Sequence, residues 1–305
     1  MKRFVTYIAL LLGILVLLAF LLDALYTKVY NTGAYRNKIM WVREMEGEAV
    51  DYILLGSSRM NNHIDPTQIK RETGKDGFNL GVNAFSIFES HLMLKEFLKK
   101  NTTQMVIVQV DSRYRQTKPD PIGEKSWLPF IYEPYVYEEF EPYGTEYKLY
   151  KHIPFYRFQK FESRIGYRDV ITSALGKGHV YNMLSGFDPR SQVLKRELTY
   201  REDKPIVQEN TSSKKMIELC KKHNIKLIFV TAPIYKFKGD LAPLRQYLPN
   251  YHDFKDSIRH RELFSDQIHL NAKGAELFTG QIIDAFFERE STLKRANEPI
   301  DTLEL

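Results

Sequence analysis

The sequence predicts an α/β domain on a parallel sheet covered by helices on both faces, preceded by one N-terminal transmembrane helix. Three observations carry this reading. Apolar runs of strand length recur at residues 50–55, 77–80, 105–110 and 226–230. Segments with helical spacing of apolar residues alternate with them. Residues 4–22 form an uncharged apolar stretch of helical length. Strands that are apolar throughout bury both of their faces, which is the habit of parallel sheets flanked by helices.

The elements follow in order. About 20 apolar residues span a bilayer core as a helix, so residues 1–26 are expected to be a cytoplasmic tip and a transmembrane anchor. Lys2 and Arg3 precede the apolar run, which predicts a cytoplasmic N-terminus and an extracytoplasmic remainder. The exit, Leu21-Leu22-Asp23-Ala24, lacks the small-x-small pattern of a cleaved signal peptide, so the anchor is read as retained. Residues 27–47 read as a juxtamembrane connector, 48–291 as the α/β domain and 292–305 as a polar tail. Within the domain, Asp65 is placed to cap a helix that has Pro66 at its first position. Further helices are expected at about 86–100, 209–222 and 272–289. Residues 115–205, rich in Tyr, Phe, Pro and charge, interrupt the rhythm. They are expected to form one insertion over the strand ends, serving as a lid or as a packing appendage.

Composition excludes several classes. The net charge of +6 would attract a polyanion. No Lys/Arg block, zinc-finger spacing or RNA-binding aromatic motif accompanies it, so no nucleic-acid partner is expected. Neither Gly-x-Gly-x-x-Gly nor a Walker-type Gly-Lys-Ser/Thr follows a strand, which argues against a nucleotide-binding domain. The one cysteine, Cys220, has no disulfide partner within the chain and reads as a small core residue on a helix. No Cys/His cluster has zinc spacing, and neither a metal nor an organic cofactor is expected.

In open parallel sheets, ligands sit beyond the carboxyl ends of the strands. Here those ends read Gly56-Ser57-Ser58, Gly81-Val82-Asn83, Asp111 and Thr231-Ala232-Pro233. Ser58, at a strand-to-helix turn, can present a nucleophilic hydroxyl, with its own N–H near a developing oxyanion. The plainer role for such a serine is a helix N-cap. Asp266 and His269 stand three residues apart before a helix, a spacing that lets the carboxylate orient the imidazole as general base. Gly81 offers an N–H unobstructed by a side chain, and Asn83 a side-chain donor, to the same oxyanion hole. Arg59, Asp111 and Arg113 are candidates for binding substrate.

At these residues the chain resembles the SGNH/GDSL hydrolase superfamily. Gly56-Ser57-Ser58 is similar to its first block, Asn79-Leu80-Gly81 to its second and Asp266-Gln267-Ile268-His269-Leu270 to its last. The resemblance covers about residues 48–114 and 209–290. It implies a flavodoxin-like three-layer sandwich and a catalytic triad of Ser58, Asp266 and His269, with the oxyanion held by Ser58, Gly81 and Asn83. In one place the chain departs from the pattern. The family's third block ends in Gly-x-Asn-Asp, whose Asn helps bind the oxyanion, whereas this chain reads Val110-Asp111-Ser112-Arg113. Loss of one such donor costs about 3–4 kcal/mol of transition-state stabilisation, unless Asn83 or Arg113 replaces it. The anchored layout also resembles SGNH-like proteins that serve acylation of surface polymers beside a membrane-bound O-acyltransferase. The resemblance thus implies an esterase or O-acyltransferase acting on acyl, notably acetyl, esters of a cell-envelope glycan. The alternative is a non-catalytic accessory protein of such a system.

Overall fold

The computed structural model describes residues 1–160 and 165–289, so the expected tail at 292–305 lies outside the described residues. The chain begins with α1 (Lys2–Thr32), α2 (Lys38–Glu44), β1 (Ala49–Leu55), α3 (Ser58–His63), α4 (Pro66–Thr73), β2 (Gly77–Asn79), α5 (Ile87–Phe97) and β3 (Thr102–Gln109). It continues through α6 (Pro134–Phe140), α7 (Glu146–His152), α8 (Tyr167–Ala174), β4 (Tyr200–Glu202), α9 (Thr211–Lys222) and β5 (Lys226–Thr231). The last elements are β6 (Phe237–Gly239), α10 (Leu244–Tyr247), β7 (Tyr251–Asp253) and α11 (Ala272–Phe286). Two compact units result. One joins Met1–Glu44 to Lys118–Val180; the other joins Met45–Thr117 to the chain from Tyr181 onward.

In the first unit, α1 is long and apolar enough to cross a membrane, and its most apolar window is uncovered by the rest of the chain. A core helix of a soluble domain would be covered on at least one side. The helix runs past the expected anchor because residues 14–32 contain neither glycine nor proline. Its uncovered stretch ends at Asp23, whose carboxylate takes Arg157 Nη2 at 3.0 Å and the Phe155 N–H at 2.8 Å. Beyond Asp23, Tyr26 and Tyr30 are buried, with rings against Phe155, Phe158 and Phe130. Trp127, Phe130, Phe140 and Phe158 are fully buried in this unit. Packing within the unit therefore accounts for much of the aromatic wealth of 118–180. The single insertion expected at 115–205 is redrawn: 118–180 belongs with the N-terminal helix, and 181–205 with the sheet.

The second unit is built on a five-stranded, all-parallel sheet of order β2-β1-β3-β5-β7. Tyr52, Leu54, Met105, Ile107, Ile228 and Val230 share one buried cluster with Phe278, Ile282 and Ile283 of α11. The alternate residues, Ile53, Leu55, Val106, Val108 and Phe229, are also buried. By strand alternation they point to the opposite face, on the side where α5 and α9 pack together. Asp65 caps α4 by accepting the Thr67 N–H, with Pro66 at the first position. Ser86 and Glu89 form a capping box that starts α5. Cys220 is buried on α9, where burial pushes its thiol up to about 12 and leaves it unreactive. The edge strand β7 and the small β4–β6 ladder add to the expected strands.

Candidate active site

The site forms where β1 ends. Gly56 has φ +147°, a conformation suited to glycine, and a Cβ there would lie 2.9 Å from Gln109 Cβ. The turn it makes starts α3. Ser57 is the N-cap: its Oγ accepts the Arg59 N–H and lies 2.6 Å from Gln109 Oε1. The capping role therefore falls to Ser57. Ser58, next in line and half-buried, is free for another partner, and its Oγ sits 2.7 Å from His269 Nε2. As the first helical residue, Ser58 has no intrahelical acceptor for its N–H.

The imidazole comes from a loop that organises itself. A bridge between Phe264 and Leu270 closes it, and the Ser265 N–H donates to the His269 carbonyl at 2.8 Å. Asp266 Oδ1 accepts the N–H groups of Ile268 and His269, both at 2.9 Å. The same carboxylate reaches His269 Nδ1, at 2.9 Å from Oδ1 and 2.8 Å from Oδ2. An ionised carboxylate only accepts, so Nδ1 carries the proton and Nε2 is left to accept from the Ser58 hydroxyl. Asn271 then caps α11 by accepting the Gly274 N–H.

Partial burial would raise the Asp266 pKa. It is outweighed by the hydrogen bonds from His269 and Ile268 and the charges of His269 and Arg190, which bring it to about 2. A depressed carboxylate pKa contributes stability that is present above its unfolded value and lost as pH falls through its folded value. Wild type is therefore expected to lose this share of stability as pH falls from 3.8 through about 2. Asp266→Asn lacks that share and is expected to show a shallower acid dependence over the same window, read by urea unfolding at stepped pH.

Three side chains outside the expected set complete the surroundings. Arg190 donates from Nη1 to Asp266 Oδ2 at 2.9 Å and from Nε to Asn62 Oδ1 at 3.1 Å. His63 is fully buried, with its ring 6.1 Å from that of His269 and perpendicular to it. Its Nε2 accepts the Leu270 N–H at 3.0 Å. Burial first, then the nearby Arg59, His269 and Arg190, hold its pKa well below the usual imidazole range, so it stays neutral. Asn62 and His63 share the short helix α3 with Ser58, but no spacing rule marks them. Arg190 lies in the 181–205 segment, far in sequence from every chemical motif.

Other expectations are corrected. Arg59 is 3% exposed and paired with Asp111 at 2.9 Å; its Nη2 also donates to the carbonyls of Ala232 and Pro233. Gln109 Nε2 donates to the same Asp111 oxygen. Arg59 and Asp111 thus lace the ends of β1, β3 and β5 together instead of facing a substrate. Arg113 braces the loop beyond β2 by donating to the Ala84 carbonyl at 3.3 Å. The Gly81 N–H donates to Asn79 Oδ1 at 3.0 Å, so it is already committed.

Gly81 has a different use. A Cβ there would lie 2.7 Å from Asn61 N and 2.8 Å from Met60 Cβ, so the missing side chain lets the end of β2 close onto α3. Gly81→Ala is expected to cost about 1–3 kcal/mol of stability, measured by urea denaturation. The Val82 N–H donates to the Gly56 carbonyl at 3.0 Å and holds this loop beside the Ser58 turn, with Asn83 exposed on it. Among the described residues, no group of three or more His, Cys, Asp or Glu could hold a metal ion. No protein-family model and no curated protein matches this chain.

Proposed function

We propose that the chain is a membrane-anchored, extracytoplasmic serine esterase or O-acyltransferase of the SGNH type. The observation that carries this reading is the hydrogen-bonded line from Ser58 Oγ through His269 to Asp266, with spacings of 2.7 and 2.8 Å. Nucleophile, base and orienting acid each have the partner their role requires. The sheet order supports the reading too. Counted among its own members it runs 2-1-3-4-5, the flavodoxin-like order, and Ser58 follows the strand at which chain direction switches.

In this reading Ser58 Oγ attacks an ester carbonyl while its proton passes to His269 Nε2. Asp266 holds Nδ1–H and stabilises the imidazolium. The Ser58 N–H and the Asn83 side chain take the oxyanion. His269 then protonates the departing alcohol, leaving an acyl group on Ser58. Water or a sugar hydroxyl, deprotonated by His269, removes that acyl group and restores the serine. The substrate class is an acyl ester, notably acetyl, of a cell-envelope glycan, and the partner is a membrane-bound O-acyltransferase. No step calls for a metal or cofactor. Lys2 and Arg3, ahead of the apolar run, support a cytoplasmic N-terminus.

A second reading, a non-catalytic accessory protein, draws on the oxyanion hole. The Gly81 N–H is bonded within its own turn, and the strand end at Asp111 supplies no asparagine. First-turnover release of p-nitrophenol from p-nitrophenyl acetate by the full-length protein in detergent separates the two. An enzyme releases up to one equivalent rapidly, with or without later turnover. Release no faster than with Ser58→Ala would favour the accessory role.

A further inference from the structure

The triad does not end at its acid. Arg190 binds the same Asp266 oxygen that faces His269, and Asn62 binds Arg190. Asn62 lies four residues after Ser58, one turn further along the same face of α3. The hydrogen bonds therefore run from Ser58 through His269, Asp266 and Arg190 to Asn62, and return through the helix to Ser58. Two further bonds hold this pair, one on Asn62 and one on Arg190. The Asn62 amide donates to the Asp188 carbonyl at 2.6 Å, and the Ala272 N–H donates to the Arg190 carbonyl at 2.8 Å. The second contact ties Arg190 to the start of α11, directly after the loop that carries His269.

We propose that Asn62 and Arg190 are positioning residues of the triad, closing a ring that ties Asp266 back to the helix carrying the nucleophile. The inference rests on Ser58 acting as a nucleophile. Asp266 needs such a support because its side chain is 43% exposed, and water would otherwise compete for the carboxylate. The ring has two consequences. It fixes the carboxylate, which favours proton transfer from Ser58. It also sets a positive charge against Asp266, which weakens the pull of that carboxylate on a protonated imidazole. His63 of α3 lies beside His269, with ring centroids 6.1 Å apart, and Arg59 of the same helix acts on His63. The Arg59 charge is closed by Asp111, and His63 is held neutral by burial. Asp188 flanks Arg190 and takes the Asn61 amide at 3.4 Å. Arg190 is therefore the one unburied cation bonded to Asp266 among the described residues.

The test is the rate of fluorophosphonate labelling of the full-length protein in detergent, followed across pH. Arg190→Gln is expected to move the acid limb of the rate profile upward by roughly 0.5–1 unit, because the field of Asp266 on the base is no longer opposed. Arg190→Lys keeps the charge but not the planar fork. It is expected to leave the limb in place and slow labelling about 3–10-fold. Asn62→Ala is expected to slow labelling by a similar factor, and to add little once Arg190 is already Gln. A purely structural role would lower the melting temperature and leave the limb unmoved. An Arg190→Gln limb that coincides with wild type, with all three rates within twofold, overturns the proposal. Wild-type protein that does not label at all overturns the serine-nucleophile reading beneath it, an outcome distinguishable from the first.

Discussion

Ser58→Ala is expected to lower acyl transfer by about 10⁴–10⁶-fold while leaving the fold intact. Under the proposed function, the size of the effect comes from the unit character of a triad. Without Oγ, His269 has no proton to accept and the acyl group has no covalent resting place. The structural cost is small because Ser58 is only half-buried and loses one hydrogen bond, worth about 1 kcal/mol. Ser57→Ala should divide the other way. It removes the N-cap of α3 and the bond to Gln109, costing about 1–2 kcal/mol of stability, yet it leaves the Ser58–His269 contact in place. Initial release from p-nitrophenyl acetate and urea melts, run on both variants, read the two effects separately. Two adjacent serines with opposite phenotypes would be hard to produce by general disruption.

Arg59→Met is expected to be the most destabilising single change at the site, by about 3–5 kcal/mol. Arg59 is 3% exposed, and its guanidinium satisfies Asp111 and two carbonyls at the end of β5. Removing it leaves Asp111 buried without its counter-charge, still holding Gln109 and the Arg113 N–H. Burial alone would raise the Asp111 pKa, but the charge of Arg59 and the bonded N–H of Arg113 hold it below the usual carboxylate range. The stability tied to this group is therefore present above its unfolded pKa of 3.8 and lost as pH falls through its lower folded value. In Arg59→Met the order is expected to reverse: Asp111 prefers to be protonated, and the variant is relatively more stable in mild acid than at neutral pH. Urea unfolding at several pH values measures both the loss and the change of slope. An Arg59 that served substrate would instead have weakened activity at constant stability.

Much of this molecule is legible in its sequence because the relevant forces are local. Residues 52–55 and 105–108 are unbroken apolar runs, so central parallel strands follow. Asp65-Pro66 carries its capping chemistry in two adjacent residues. The Asp266–His269 pairing is set by one turn, whose N–H groups and carboxylate lie within four positions. What the sequence conceals depends on partners far away along the chain. Arg59 and Arg190 are both arginines near a serine and an aspartate, and nothing in their neighbours says which is buried. The structure reverses the natural guess: Arg59, beside Ser58, braces the sheet, whereas Arg190, over a hundred residues later, reaches Asp266. Gly81 was legible as a position that must lack a side chain, but the reason is its approach to α3, and its N–H is spent on Asn79. Tyr251–Asp253 is not legible as a strand, because three mixed residues have no period. The boundary at Lys118 is hidden in the sequence, because aromatic residues that pack on α1 look like those that line a groove.

Fluorophosphonate labelling of the full-length protein, followed by mass spectrometry of its peptides, tests the assignment of Ser58 most directly. The expected result is a single covalent adduct on Ser58, formed with wild type and lost with His269→Ala, because the hydroxyl is reactive only when Nε2 can take its proton. No adduct on Ser58 in folded protein, or an adduct that forms equally well without His269, would contradict it.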